Sequence, residues 1–541
     1  MQFTGFLGIA LFCLIGFLFS RNKKAIDWKL VIWGIVMQFI IAAIILGKGL
    51  ISLVPFFIWI WAIAWYNLDV FIFRAKKLNI IVSGAASLVL TGIVIGITYL
   101  LGGEVSSLLL SIVWYLFIVI GVVRVTLLSF GKDIKLYKHW SNIAGFLLCG
   151  IIFGNLLANG KTGADFFGSI GDAITSFLKF ASLGGEFIFG KLYTGAVGWV
   201  FIIDVGVATI FFIAFVGLLE SVGLMNQIII SIARFVDWNM KGMGIKPLSG
   251  AETLVAISSI PMGGDNLLLI KNYLSTLTRS EISLSISAIM ATISASLFAA
   301  FVSLGISPVH LLAASAMSVP AVIVVSKICY PEVDNPVTRG QDIEVVKDAN
   351  YGKPMNAIMD SINNAIQTVL IMAGSLVVFI SLIGVFDSIL GRLDAYVDGQ
   401  LLHGIKNIYG EYNGFVPGSL KTLLGYIFSP LAFAMGTPVE DIIKMGYLMG
   451  TKLSINEFVA FTQLGEFIKS NALTEKSIII ASFALCGYAN PGTVAMNLGK
   501  VLPFSGNNRE NYINLAFKTM FIGAAASWMT AAIAGIISGL I

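Results

Sequence analysis

Two short stretches of this sequence place carboxylates and amides inside otherwise apolar regions. MGTKLSINEFVAF, residues 449–461, contains Asn456 next to Glu457. SSIPMGGDN, residues 258–266, contains Asp265 next to Asn266. An isolated carboxylate in an apolar environment costs several kcal/mol, so it is expected where a polar ligand or ion supplies its partners. Asp265 and Glu457 are therefore predicted to bind a ligand.

Each of these stretches is followed by a helix that the sequence should interrupt. Downstream of the first lies ATISAS, residues 291–296, and downstream of the second lies CGYANPGT, residues 486–493. Pro491 and Gly492 should open the helix and present Asn490 and Thr493 together with free backbone groups. Two alternatives remain open: a Ser or Thr can bond to the carbonyl four residues earlier, and Pro-Gly can be a packing kink.

The surrounding chain has the composition of a helical membrane protein. Of its 541 residues, 57% are hydrophobic and only 12% are charged, about half the share of a soluble protein. Apolar runs long enough to cross a bilayer recur from end to end. The cysteines and histidines are scattered, without the spacing of metal ligands or a nucleophile–base pair, so neither an intramembrane enzyme nor a metal or redox cofactor has support.

The elements that must position these residues divide into four regions. The first region, residues 1–160, holds N-terminal transmembrane spans near 4–20, 29–47, 50–67, 79–101, 105–131 and 141–158. Residues 161–192 are predicted to form an amphipathic interfacial helix. Residues 193–335 and 336–541 are two larger units. Lys and Arg flank alternate loops, which predicts a multi-pass protein with its N-terminus outside. Asp204 and Arg124, single charges within spans, stay unassigned.

The two larger units repeat one pattern. A span is followed by a broken, polar-centred segment, then an interrupted span, then a plain span; the broken segments are 246–275 and 437–468, and an outer loop precedes the second. Three crossings per unit is an odd number, so the second unit starts on the opposite face. The prediction is an all-α membrane protein with two inverted repeats, each with a re-entrant hairpin, as in secondary transporters.

Four motifs resemble the concentrative nucleoside transporter family. They are SGAET at 249–253, LTRSE at 277–281, GTKLSINEFVAF at 450–461 and ALCGYANPGTVAMNLG at 484–499, and the opening LFSRNKKAIDWKLVIWG is also similar. The resemblance covers residues 1–48 and about 160–541, so 49–160 looks like an insertion of four spans. It implies a homotrimer that imports nucleosides by Na⁺ or H⁺ symport, located in the bacterial inner (plasma) membrane.

The resemblance also implies roles for individual residues. Glu457 would accept hydrogen bonds from ribose hydroxyls, assisted by Asn490 and Thr493. The implied substrate site contains Gly263, Gly264, Asp265, Asn266, Leu297, Asn456, Glu457, Tyr488, Asn490 and Thr493, and the implied ion site contains Ser258, Pro261, Thr292 and Ile293. Tyr488 stands where the family has Phe, Thr493 where it has Ser, and Ser258 where sodium-coupled members have Asn, which weakens the sodium case.

The first hairpin departs further from the family pattern. The family pattern Gly-Gln-Thr/Ser-Glu aligns with Met262-Gly263-Gly264-Asp265, so the Gln that reads the base is absent and the Glu is replaced by the shorter Asp265. Base selectivity is therefore expected to be broad or shifted towards purines. The alternatives are transport of a different nucleoside-like or small polar solute, or a passive channel. Two charged hairpin tips facing two broken helices favour an occluding site over an open pore.

Overall fold

The structure is a computed structural model that describes residues 4–73, 80–129, 135–193, 200–339, 352–406, 411–412 and 414–540. Over these residues the chain forms helices and connecting loops, and its one bridge of the β type joins Lys406 to Tyr412. The predicted all-α class is confirmed.

Eight helices make up the N-terminal region. They are α1 Thr4–Leu18, α2 Trp28–Leu46, α3 Leu50–Leu68, α4 Ile80–Leu100, α5 Gly103–Ser129, α6 Lys135–Ala158, α7 Gly163–Leu178 and α8 Phe180–Phe189. Helices α3 to α6 occupy the predicted insertion, and α3 packs on α2 and α7. The chain turns by 104° between α6 and the segment that holds α7 and α8, a large change of direction after an apolar helix.

The remaining helices fall into two sets with the same order. The first set is α9 Phe201–Ser221, α10 Leu224–Gly242, α11 Gly250–Met262, a 3₁₀ segment Gly263–Tyr273, α12 Arg279–Ala291, α13 Ala295–Ser303 and α14 Pro308–Cys329. The second set is α15 Pro354–Asp394, α16 Leu420–Ala434, α17 Ile442–Ser454, α18 Glu457–Lys469, α19 Glu475–Leu485, α20 Pro491–Val501 and α21 Arg509–Ser538. We call residues 250–273 the first hairpin and 442–469 the second.

Two helices go beyond the elements expected from the sequence. Helix α10 precedes the first hairpin, and α16 lies where an outer loop is expected before the second. Each packs against the hairpin helix that follows it, α11 or α17. Because both are shorter or more polar than a spanning segment, hydropathy alone does not distinguish them from loops.

N-cap residues start the half-helices at corresponding points of the two sets. Thr278 begins α12 and Thr474 begins α19, each accepting a backbone N–H of the first turn. The next N-cap, Ser294 in one set and Asn490 in the other, follows 16 residues later in both cases. The same spacing of caps on both sides of a break supports an internal repeat.

The core is built around α14 and α21, the two most enclosed of the long apolar helices. In the most apolar stretch of α14, 78% of the residues are buried, and in that of α21, 89%. The corresponding share is 18% for the span that begins with α15. Glycines allow the helices to approach closely: a Cβ at Gly523 of α21 would collide with the side chain of Met290 in α12. We call residues 292–294, between α12 and α13, the first break, and residues 486–490, between α19 and α20, the second break. Helices α12 and α19 both pack on α21, so the two breaks are held in one core.

Seven helices in the described part of the chain are long and apolar enough to cross a bilayer, or eight if the bent pair at 142–192 is counted as one span. One of the seven precedes the predicted insertion, two lie in it, and each of the two repeated sets contributes two. The protein is therefore a multi-pass integral membrane protein.

Candidate functional site

The tip of the second hairpin carries Asn456 and Glu457. Helix α17 ends at Ser454, and Ile455 leaves the helical conformation with φ −113° and ψ −88°. Asn456 then caps α18, and its side-chain oxygen accepts the backbone N–H of Val459 at 2.8 Å. Glu457 is the first residue of α18 and is only 6% exposed. The amide therefore starts the second limb of the hairpin, and the carboxylate is held beside the tip.

Glu457 is bonded directly to the second helix break. The Nδ2 of Asn490 donates to Oε2 of Glu457 at 2.8 Å, while Oδ1 of Asn490 accepts the backbone N–H of Thr493 at 2.9 Å. Asn490 is thus both the N-cap of α20 and the partner of the carboxylate. Thr493 lies in the first turn of α20 and is buried. The structure brings together three of the predicted substrate residues from segments 33 or more positions apart.

The second break also contacts the first. The backbone N–H of Ser294 donates to the hydroxyl of Tyr488 at 2.8 Å, and the Ser294 and Tyr488 hydroxyls form a further hydrogen bond. Gly487 has φ +113°, and a Cβ there would collide with the carbonyl oxygen of Met290. Glycine is therefore required at this position both for its backbone conformation and for the close contact.

At the first break, Thr292 reaches the first hairpin. Its Oγ1 bonds to the carbonyl oxygen of Ala288 at 3.0 Å and to that of Ser259 at 3.2 Å. The bond to Ala288 is the i−4 back-bond that the sequence left open as an alternative, and the bond to Ser259 links the break to the hairpin. The neighbouring Ile293 and Leu297 are buried, with 1% and 9% exposure.

The first hairpin is closed by Asn266 of its second limb, whereas Ser258 bonds within its own helix, α11. Nδ2 of Asn266 donates to the carbonyl of Val255 at 2.8 Å, and Oγ of Ser258 donates to the same carbonyl at 3.3 Å. The buried Oδ1 of Asn266 has no hydrogen-bond partner in the structure. Gly263, Gly264 and Asp265 begin the 3₁₀ segment, and the side chains of Asp265 and Pro261 lie outside the described part of the chain.

The second hairpin packs on the first set of helices as well. Phe461 of α18 stacks on Phe301 of α13 with ring centroids 4.1 Å apart, and Phe458 meets Phe201 of α9 edge-on at 5.4 Å. The limb that carries Glu457 is therefore positioned against the half-helix that follows the first break. Helices of the first set therefore pack against the hairpin of the second set next to its tip.

These contacts form one polar connection through the core. It runs from Ser259 through Thr292 at the first break, across the Ser294–Tyr488 contact, and through Asn490 to Glu457. Ser294, Ser259 and Lys452 belong to this region but were not among the predicted site residues. For Ser294 and Ser259 the sequence carried only a weak signal, since a Ser in a membrane helix usually bonds to its own helix.

Of the two unassigned charges, one has a local role in the structure. Oδ2 of Asp204 accepts the backbone N–H of Val200 at 2.6 Å in the first turn of α9, as a carboxylate near a helix N-terminus does. The side chain of Arg124 lies outside the described part of the chain.

A multi-pass helical protein whose polar residues gather at two helix breaks and two hairpin tips has the architecture of a secondary transporter. In such proteins the irregular backbone is tolerated because it is buried in protein or lines a cavity. That is the class of protein which the fold and the site define.

Family models identify the family within that class. The model described as "Na+ dependent nucleoside transporter C-terminus" matches residues 310–535, and the model for the N-terminus of the same family matches 7–54 and 118–192. Together they cover well over half of the chain. The protein belongs to the concentrative nucleoside transporter family, which consists of transporters and not enzymes. The gap in the match, residues 55–117, lies inside the predicted insertion.

Individual relatives are similar over most of this chain. Solute carrier family 28 member 3 of Rattus norvegicus is 28% identical over 415 residues, which are 74% of this chain and 55% of the relative. Sodium/nucleoside cotransporter 1 of Homo sapiens is 29% identical over 415 residues, 74% of this chain and 60% of the relative. The uncharacterized transporter YutK of Bacillus subtilis is 28% identical over 430 residues, which are 79% of this chain and 99% of the relative. The chain thus spans little more than half the length of the vertebrate relatives.

Solved structures of CNTnw have the same fold. Its inward-facing, substrate-bound state has a TM-score of 0.67 and 22% identity, covering 99% of this chain and 98% of that one. A mutant of CNTnw in an outward-facing state has a TM-score of 0.70 and 21% identity, and the match covers 100% of this chain and 99% of that one.

Proposed function

We propose that this protein imports nucleosides by symport with a cation, through alternating access around the polar connection described above. The observation that carries the proposal is the bond between Glu457 and Asn490, which places a buried carboxylate at the point where a hairpin tip meets a helix break. A carboxylate held this way can accept hydrogen bonds from the two vicinal hydroxyls of a ribose. Asn490 orients the carboxylate and keeps Thr493 beside it.

The proposed coupling ion is Na⁺, with H⁺ as the alternative. The family models are described as Na⁺-dependent, which favours sodium. The candidate ion site is the first break, where Thr292 lies between Ser259 and the end of α12. Oxygen atoms of Ser258, Pro261, Thr292 and Ile293 are proposed to bind the ion, because Na⁺ is a hard cation that prefers hydroxyl and carbonyl ligands.

The finer features of assembly and location are also proposals. The two sets of helices are proposed to be inverted repeats with re-entrant hairpins, because each contains an odd number of crossings. A homotrimer in the bacterial plasma membrane with an external N-terminus follows from the family resemblance and the alternation of basic loops.

The proposal is tested by uptake of labelled uridine into proteoliposomes, comparing wild type, Glu457→Gln and Glu466→Gln. Removing the charge from Glu457 should reduce apparent uridine affinity at least about tenfold, because charge-assisted hydrogen bonds are worth roughly 1.5–3 kcal/mol each. Glu466 lies on the same helix but is exposed, so its variant should behave as wild type. Wild-type affinity in Glu457→Gln would contradict the proposed site.

Competition separates nucleosides from other polar solutes. Inosine, adenosine, cytidine and free ribose are added in excess during uridine uptake. Inhibition by the nucleosides with little base preference is expected, since Gly263 and Gly264 provide no side chain to bind the base. Uptake that is unaffected by every nucleoside would indicate a different solute, and uptake that never exceeds equilibration would indicate a channel.

A further inference from the structure

Lys452 is fully buried, and its three hydrogen-bond partners are uncharged groups. It lies in the last turn of α17 with 0% exposure. Its Nζ donates to the carbonyl oxygen of Ala484 at 2.8 Å, to that of Cys486 at 3.0 Å and to the hydroxyl of Ser527 at 2.7 Å. A lysine ammonium has three N–H donors, so all of them are used.

The position of these acceptors is favourable for a positive charge. Ala484 and Cys486 lie at the end of α19, where carbonyl groups lack partners within the helix and the helix dipole is negative. A cation is stabilised at such an end, while the same ammonium in a wholly apolar core would cost several kcal/mol. Lys452 of α17 therefore donates the hydrogen bonds that the carbonyl groups of Ala484 and Cys486 do not receive within α19.

The residues that Lys452 holds lead directly to the proposed site. Cys486 is followed by Gly487, which packs against the first break, and by Tyr488, which bonds to Ser294. Asn490, the partner of Glu457, comes four residues after Cys486. Fixing the carbonyl of Cys486 thus restricts the path of the backbone between the end of α19 and the start of α20.

We propose that the ammonium of Lys452 is a cation built into the chain that holds the second helix break in the shape required for ligand binding. Lys452 is a positioning residue, since it acts through the backbone of residues 484–490. Because its ammonium already occupies the carbonyl end of α19, this break does not take up an exchangeable metal ion. That last point rests on the proposed function, in which the coupling ion binds at the first break.

The first test is independent of any substrate and uses the thiol of Cys486. All four cysteines are free, and both Cys486, just after the last residue of α19, and Cys329, in α14, are buried. In Lys452→Ala the break should loosen, and N-ethylmaleimide should modify Cys486 at least tenfold faster than in wild type, as followed by mass spectrometry. Cys329 should react at its wild-type rate. Methylammonium chloride should slow the reaction of Cys486 again by filling the space of the ammonium, whereas sodium chloride should not.

Lys444→Ala is the matched control. Lys444 lies on the same helix and also donates to a backbone carbonyl, that of Ala472 at 2.6 Å, but at the opposite end of α17. Its loss should leave Cys486 unreactive. Equal reactivity of Cys486 in Lys452→Ala and wild type would overturn the proposal. So would a parallel increase at Cys329, because that would indicate general loosening of the protein.

The second test measures uridine binding to purified protein by calorimetry. Lys452→Ala should lose at least tenfold in affinity, and methylammonium should restore part of the loss. Unchanged affinity with a more reactive Cys486 would overturn the link between the break and the ligand. If the wild type bound no nucleoside, the proposed function would fail, and the thiol experiment would still decide the role of Lys452.

Discussion

At the scale of single residues, the contact between Tyr488 and Ser294 joins the two helix breaks. The family resemblance places a Phe at this position, which has no hydroxyl. Here the Tyr488 hydroxyl accepts the backbone N–H of Ser294, a residue 194 positions away, and also bonds to its side chain. The two helix breaks are therefore joined by a hydrogen bond in addition to packing.

Tyr488→Phe is expected to lower thermal stability while leaving uridine binding measurable. The variant keeps the ring, but it leaves a buried N–H without its partner, at a cost of about 1–3 kcal/mol. The melting temperature of purified protein should fall, and adding Ser294→Ala should lower it little further, because the hydrogen bond between the two hydroxyls is already lost in Tyr488→Phe. Strictly additive decreases would show that the two side chains do not act together.

At the scale of elements, a buried ion pair fixes the start of the first hairpin. Glu252 in the first turn of α11 pairs with Lys327 in the last turn of α14. Lys327 also donates to the hydroxyl of Ser280 at 2.8 Å, and Glu252 accepts the backbone N–H of Ser249 at 3.1 Å. Three helices, α11, α12 and α14, are thereby tied together at one end of the hairpin.

Removing one member of this pair should destabilise the protein strongly. Lys327→Met leaves the Glu252 carboxylate buried without its cation, which costs about 3–5 kcal/mol. The double variant Lys327→Met/Glu252→Gln should be more stable than Lys327→Met alone. Melting temperatures in detergent provide the measurement. The exposed pair Lys241–Asp237 is the control, and Lys241→Ala should have no detectable effect. A wild-type melting temperature for Lys327→Met would contradict this structural role.

At the scale of the whole molecule, the two sets of helices share one core but differ in what occupies their breaks. The second break is filled by Lys452, whereas the first is bordered by the Thr292 hydroxyl and backbone carbonyls. This difference supports the proposal that the coupling cation binds at the first break.

Uridine uptake is expected to depend on sodium and on the hydroxyl of Thr292. An inward sodium gradient should drive accumulation that choline does not support, and a protonophore should have little effect. Thr292→Val should raise the sodium concentration for half-maximal uptake several-fold, because it removes one of the proposed oxygen ligands of the ion. Thr209→Val is the control, since Thr209 is also buried but bonds only within α9, to Val205. Uptake that ignores sodium and collapses with a protonophore would establish proton coupling instead.

The sequence by itself determined the class of protein, the family resemblance and several of the residues that meet at the site. Hydropathy is a local property, so the long spans are visible without a fold. The carboxylate of Glu457, the amide of Asn490 and the Pro491 break are also local exceptions to an apolar pattern. The residue types alone are sufficient to identify these positions, without knowledge of their neighbours in the fold.

Only the tertiary structure decided which residues act together. Lys452 bonds to carbonyls 32 and 34 positions away and to Ser527, 75 positions away, and no pattern within α17 specifies these partners. The Tyr488–Ser294 contact and the helices α10 and α16 likewise became visible only in the fold. A side chain's type shows what it needs, whereas the packing of distant helices decides which group meets that need.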